Sequence, residues 1–173
     1  TAWYYEDVAY VTRSGLMVGT SAMTFSPGAE MSRAMLVAVL HRLAGSPSVS
    51  GKMPFTDVEA DTWYTKAVLW AYQNDIVAGT SDTTFEPLSN ITREQIVAIF
   101  SRYTAKFAPD KAKATAELTA FADSASVSDW AVNDMKWAVA QKIIGGRENG
   151  GRLYLAPQGN ASRAEVATIL MQY

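Results

Sequence analysis

Apolar residues recur along this chain in three blocks with a common spacing. Leu36, Val37, Val39, Leu40 and Leu43 form the first, Ile96, Val97, Ile99, Phe100 and Tyr103 the second, and Val166, Ala167, Ile169, Leu170 and Tyr173 the third. Positions i, i+1, i+3, i+4 and i+7 fall on one side of an α-helix and cover an arc wider than a two-position seam. The pattern predicts three helices that face a shared interior. Ahead of each block lies another helical stretch, with the aromatic pairs Trp3/Tyr10, Trp63/Trp70 and Trp130/Trp137 seven residues apart. Seven residues make two turns, so each pair is expected on one face of a first helix. The unit reads helix, loop, helix, and it occurs three times.

The repetition extends beyond the apolar pattern. Residues 3 to 45 align with 63 to 105 at a constant shift of 60, matching Trp3-Tyr4 with Trp63-Tyr64, Gly19-Thr20-Ser21 with Gly79-Thr80-Ser81, Thr24-Phe25 with Thr84-Phe85, Pro27 with Pro87 and Arg42 with Arg102. A third copy starts near Phe121, where Phe121-Ala122-Asp123 echoes Phe55-Thr56-Asp57 at a shift of 67. The Gly-rich stretch 145–151 then lengthens the loop, and Pro157 and Ser162-Arg163 match Pro87 and Thr92-Arg93 at a shift of 70. Residues 1–45, 46–106 and 121–173 are thus expected as three repeats, the first truncated at its start, with 107–120 as a linker that could hold an extra short helix over 112–120. Such a chain belongs to the all-α class, mostly helical with loops.

Composition narrows the functional classes. With 49% hydrophobic and 18% charged residues the 173-residue chain should fold rather than remain disordered. Fifteen Lys and Arg against seventeen Asp and Glu, with no dense basic run, argue against nucleic acid or an anionic membrane as partner. The lack of cysteine excludes disulfides and thiolate chemistry. No apolar run approaches the roughly 18 residues of a membrane span. The opening TAWYYEDVAY lacks the features of a signal peptide, and the sequence is expected to be cut from a larger protein.

Each second helix opens with Ser or Thr followed by Arg: Ser32-Arg33-Ala34-Met35, Thr92-Arg93-Glu94-Gln95 and Ser162-Arg163-Ala164-Glu165. Ser or Thr at the N-cap with Glu or Gln three residues on is a capping box, and a cap contributes about 1 kcal/mol. Copy one, with Met35, lacks the reciprocal half. Capping leaves the arginines unexplained, because a cation in the first turn opposes the positive end of the helix dipole. One resolution is an ion pair with Asp57 or Asp123. The other is an external carboxylate or phosphate held by the guanidinium together with helix-start N–H groups. The residues leave the two equally weighted. Of the tryptophans, one per first helix should pack; Trp63 and Trp130, at helix starts near the loops, are expected to be exposed and able to stack on a sugar ring.

Trp-Tyr, Ala-Val-x-Trp-Ala, Ile-Val-x-Gly-Thr, Phe-x-Pro and Ile-Thr-Arg-Glu follow one another through residues 63–94. This ordered set, repeated three times over nearly the whole chain, resembles the S-layer homology repeat. The resemblance implies a pseudo-threefold assembly of three helix-loop-helix repeats around a central helical bundle, with grooves between neighbours. It implies a non-catalytic module on the bacterial cell surface, in cell wall or S-layer, that binds secondary cell-wall polymer, commonly a glycan ending in pyruvyl-ketal N-acetylmannosamine, with lattice neighbours possible and no cofactor. The family's binding arginine falls on Arg33, Arg93 and Arg163 and tips the balance toward an external anion. The candidate ligand-binding set is these arginines with Ser32, Thr92, Ser162, Trp63, Trp130, Asp57, Asp123, Gly79, Gly146, Gln95 and Glu165. Met35 and Gln95 depart from the family's Glu, and the third loop carries two extra arginines, Arg147 and Arg152. Three equivalent sites are therefore not expected.

Enzymatic alternatives find little support in the sequence. His41, the single histidine, occurs in one copy among core-like positions. Asp57, Glu59, Asp61 and Asp123 sit in turn-like contexts, Asp82–Glu86 is too short for a calcium loop, and no phosphate loop or nucleophile elbow is present. A helical scaffold binding a protein partner through its grooves is the competing non-enzymatic reading.

Overall fold

The computed structural model describes residues 2–173. Among these residues six α-helices appear in pairs, α1 (Tyr5–Arg13) with α2 (Arg33–Leu43), α3 (Thr65–Gln73) with α4 (Arg93–Phe107), and α5 (Val132–Ala140) with α6 (Arg163–Gln172). The third-copy insertion folds as a small antiparallel hairpin, β1 (Arg147–Asn149) with β2 (Arg152–Tyr154). Gly150 and Gly151, with φ of 58° and 74°, supply the two left-handed residues that a two-residue turn of this hand needs. The chain is therefore helix-rich with one small sheet rather than wholly helical.

Two local expectations change. Over residues 112–120 no α-helix forms; a 3-10 turn at Pro109–Lys113 runs into extended chain at Ala114. The carbonyl of Lys111, which a continuing helix would pair with residue 115, instead accepts Trp137 Nε1 at 3.0 Å and Gln141 Nε2 at 2.9 Å. The aromatic pairs also do not share a helix face. Trp3 and Trp63 lie ahead of α1 and α3, and Trp130 sits in the 3-10 turn Asp129–Ala131. Trp70 and Trp137 are consequently buried while Trp63 and Trp130 remain 57% and 55% exposed.

The apolar faces of α2, α4 and α6 supply much of the core, with Leu36, Leu40, Ile96, Phe100 and Val166 buried. The first helix of each repeat packs on the second helix of the repeat before it: α3 on α2, α5 on α4, and α1 back on α6. Hydrogen bonding follows a cyclic order at the helix starts. Met31 N–H donates to Ala161 C=O at 2.9 Å, Ala161 N–H to Ile91 C=O at 3.2 Å, and Ile91 N–H to Met31 C=O at 2.9 Å. These three residues occupy the same position in their repeats, as do Glu30, Asn90 and Asn160, whose two amides both donate to the Glu30 carboxylate. Buried Glu94 adds a tie to the third repeat by accepting from Ser128 N–H and Oγ and from Gln158 Nε2.

Candidate functional site

The starts of α2, α4 and α6 are built alike. Ser32, Thr92 and Ser162 each accept the N–H three residues on, at 3.2 to 3.3 Å, and Gln95 and Glu165 complete capping boxes that Met35 cannot. The first two helical N–H groups go to the following repeat: Arg33 and Ala34 donate to Ser89 and Pro87, Arg93 and Glu94 to Gly159 and Pro157, and Arg163 and Ala164 to Ala29 and Pro27. The amides at the starts of α4 and α6 are thus used inside the fold, from the cap residue through the third helical position, and so are those of residues 33–35 in α2, which leaves little of the amide half of the anion seat expected from sequence.

Each arginine crosses to the next repeat as well. Arg33 Nε donates to Phe85 C=O at 2.8 Å and its Nη2 to Ala78 C=O at 3.3 Å. Arg163 Nε donates to Phe25 C=O at 2.8 Å and its Nη2 to Val18 C=O at 2.5 Å. Both guanidinium groups lie over an aromatic face, Arg33 over Phe85 at 4.7 Å and Arg163 over Phe25 at 4.5 Å. Arg93 Nε makes the equivalent bond to Leu155 C=O at 2.8 Å, but Leu155 offers no ring and Arg93 Nη1 turns to Glu165 Oε1 at 2.8 Å.

The three side chains are only 6 to 7% exposed. Burial pushes each guanidinium below its ordinary pKa, opposed at Arg33 by Glu86 and then Asp57, and at Arg93 by Glu165; at Arg163 burial acts alone. The ion pair with Asp57 or Asp123 does not form among the described residues. Those carboxylates instead accept loop amides: Asp57 from Phe85 and Glu86 at 2.9 and 2.7 Å, and Asp123 from Leu155 and Ala156 at 2.7 and 2.8 Å. Glu86 and Ala156 take the left-handed conformation there, as Ser26 does in the first copy.

Around each arginine lies a groove that draws on all three repeats. The Arg163 groove, of about 320 Å³, is lined by Val18-Gly19-Thr20, the α2 face Met35, Ala38, Val39 and Arg42, and Trp63. The Arg33 groove, of about 430 Å³, has Ala78-Gly79-Thr80, the α4 face Gln95, Ala98, Ile99 and Arg102, and Trp130. The Arg93 groove, of about 390 Å³, has Gly145-Gly146-Arg147, the α6 residues Glu165, Thr168 and Ile169, and Trp3. Glycine is required where the backbone folds tightly. A Cβ on Gly79 would collide with the Ser81 and Thr84 carbonyl oxygens and the Phe55 ring, and Gly146, at φ +82°, faces Phe121.

The candidate residues divide accordingly. The three arginines, Trp63, Trp130, Gly79, Gly146, Gln95 and Glu165 line grooves, whereas Ser32, Thr92, Ser162, Asp57 and Asp123 shape helix starts and loops outside them. Sequence reasoning did not name Trp3, Arg42, Arg102 and Arg147 as site residues. The first three were signalled: Trp3 shares the repeat position of Trp63, and Arg42 and Arg102 stand seven residues after Met35 and Gln95, hence on the same helix face. His41 rests against Trp70, with Nε2 2.9 Å from Pro47 C=O, and lines none of these grooves. No cluster of metal-ligating side chains occurs among the described residues, and no helix is long and apolar enough to cross a membrane.

The model of the S-layer homology domain matches residues 1–34, 54–97 and 120–167, more than half of the chain. Among curated proteins the chain is 29% identical over 98% of its length to an endoglucanase from Bacillus sp. (strain KSM-635), of which it spans 17%. It is 30% identical over 97% of its length to an amylopullulanase from Thermoanaerobacterium thermosulfurigenes, spanning 9% of that protein. To the surface-layer 125 kDa protein of Lysinibacillus sphaericus it is 30% identical over 95% of its length, spanning 13%. The shared part is thus a small fraction of proteins that otherwise differ. With the model matching at each of the three repeats, the chain belongs to the S-layer homology domain family, a family of non-catalytic cell-wall anchoring modules.

Proposed function

We propose that this chain anchors its parent protein to the bacterial cell wall by binding the acidic end of a secondary wall glycan in grooves between pseudo-threefold-related repeats. In this reading a ketal-linked pyruvate carboxylate meets the guanidinium of Arg33 or Arg163, and the exposed face of Trp130 or Trp63 lies along the sugar ring. The observation that carries the reading is the state of these two arginines. Each is buried at a groove wall, bonded to backbone carbonyls and an aromatic face, and without a carboxylate within 4 Å among the described residues. A desolvated guanidinium in that setting gains from an incoming anion much more than an exposed one does. Neighbouring groups fit a sugar acid: Thr80 or Thr20 supplies a hydroxyl, and Arg102 or Arg42 a second cation.

Co-sedimentation with purified Gram-positive sacculi, before and after chemical extraction of the secondary polymer, tests this function. Binding that is lost on extraction is the expected result. Binding that survives extraction would move the partner to peptidoglycan, and absence of binding to either preparation would remove the wall as the target.

A further inference from the structure

The three grooves share a plan but differ in charge. Lining the Arg163 groove are two arginines, Arg163 and Arg42, and no carboxylate; the Arg33 groove likewise has Arg33 and Arg102. At the Arg93 groove the position of Arg42 and Arg102 is taken by Gln172, and the helix position of Met35 and Gln95 is Glu165. Glu165 Oε1 lies 2.8 Å from Arg93 Nη1 and 2.7 Å from Arg147 Nη2, with Arg147 Nε at 3.0 Å; its Oε2 accepts Ser162 N–H at 2.9 Å. Its side chain is only 17% exposed.

Resting on the anion-binding reading above, we infer that Glu165 occupies the anion seat of the Arg93 groove, so that the chain takes two acidic glycan ends, at Arg33 and Arg163, and not three. The Arg93 guanidinium already has a fixed carboxylate at bonding distance, and an incoming anion would have to displace it against a second arginine and a helix-cap bond. The third-copy insertion supplies the lock, because Arg147 opens β1 and reaches back onto α6. Burial alone would raise the pKa of Glu165, but the Ser162 amide, Arg147 and Arg93 together bring it below the ordinary carboxylate value, so the lock is charged at neutral pH.

The test is a titration followed by the side-chain Nε–H signals of arginine in ¹⁵N-labelled protein. The probe is the methyl glycoside of pyruvyl-ketal N-acetylmannosamine. In the wild-type chain the Arg33 and Arg163 signals should move while Arg93 stays still, with affinity at Arg93 lower by at least about tenfold. In Glu165→Gln, which keeps an oxygen for the Ser162 cap, Arg93 should join them. Movement of all three signals in the wild-type chain would overturn the inference and leave the anchoring function standing. Movement of none in either protein would overturn both. The wild-type titration alone decides the matter if the variant does not fold, and an Arg93 signal that stays still in a folded Glu165→Gln chain would show that Glu165 is not what closes the groove.

Discussion

The Arg163 groove and the Arg93 groove occupy equivalent places between repeats, and their backbones do the same work. In each, a capped helix start donates two amides to the next repeat's Pro turn, and arginine Nε holds a carbonyl there. What differs is a handful of side chains. Phe25 becomes Leu155, Met35 becomes Glu165, Arg42 becomes Gln172, and Arg147 arrives with the hairpin. One groove presents two arginines and an aromatic face; in the other an internal carboxylate is clamped between two arginines. The comparison teaches that a repeat can keep its scaffold while its chemistry drifts, because the scaffold rests on backbone hydrogen bonds that tolerate side-chain change.

Removing the arginines should give the largest contrast. Arg93→Ala strands the Leu155 carbonyl and half-releases a shielded Glu165, and should cost about 3 kcal/mol in urea unfolding, moderated by the remaining pair with Arg147. Arg163→Ala leaves two carbonyls without their donor but no carboxylate, and should cost clearly less, about 1 to 2 kcal/mol, while abolishing anion binding in its groove. Equal costs for the two would undo the claim that the grooves differ electrostatically.

Loop substitutions come next. Gly79→Ala should destabilise by about 1 to 3 kcal/mol because backbone oxygens cannot move aside, whereas Gly145→Ala, with nothing within 4 Å of the added methyl, should stay within about 0.5 kcal/mol. Thermal melts of the two variants check this directly.

Acid should erase the Glu165 contribution. Its folded pKa lies below the ordinary 4.5, so its stabilisation is full above that value and is lost as pH falls through the lower folded one. Wild type should therefore exceed Glu165→Gln by about 1 to 2 kcal/mol at neutral pH, and the gap should close on acidification into that window. A gap constant from pH 7 down to pH 2 would contradict a charged Glu165. Smallest is the expected effect of Trp63→Ala on stability, within about 0.5 kcal/mol for a mostly exposed ring, although sugar affinity at the Arg163 groove should drop several-fold.

Much of this was legible from residue spacing. The wide stripe Leu36-Val37-Val39-Leu40 and its two echoes marked the core helices, and repeat alignment put Arg33, Arg93 and Arg163 at one structural position. The spacing could not reveal that α1 packs on α6 or that each arginine serves the neighbouring repeat, since such contacts join residues up to 161 apart. For the same reason the spacing gave no sign that Arg93 bonds to Leu155 and Glu165, on which its expected cost to stability rests. The seven-residue aromatic spacing misled because Trp3, Trp63 and Trp130 precede their helices, where helical periodicity does not apply.

The most direct measurement of the central claim is calorimetric titration of the intact chain with pyruvyl-ketal N-acetylmannosamine glycoside beside the same glycoside without the ketal. Binding of the ketal form alone, lost in an Arg33→Lys, Arg163→Lys double variant that remains folded, is the predicted result. Equal binding of both sugars, or undiminished binding by the folded double variant, would contradict recognition of a glycan carboxylate by the buried arginines.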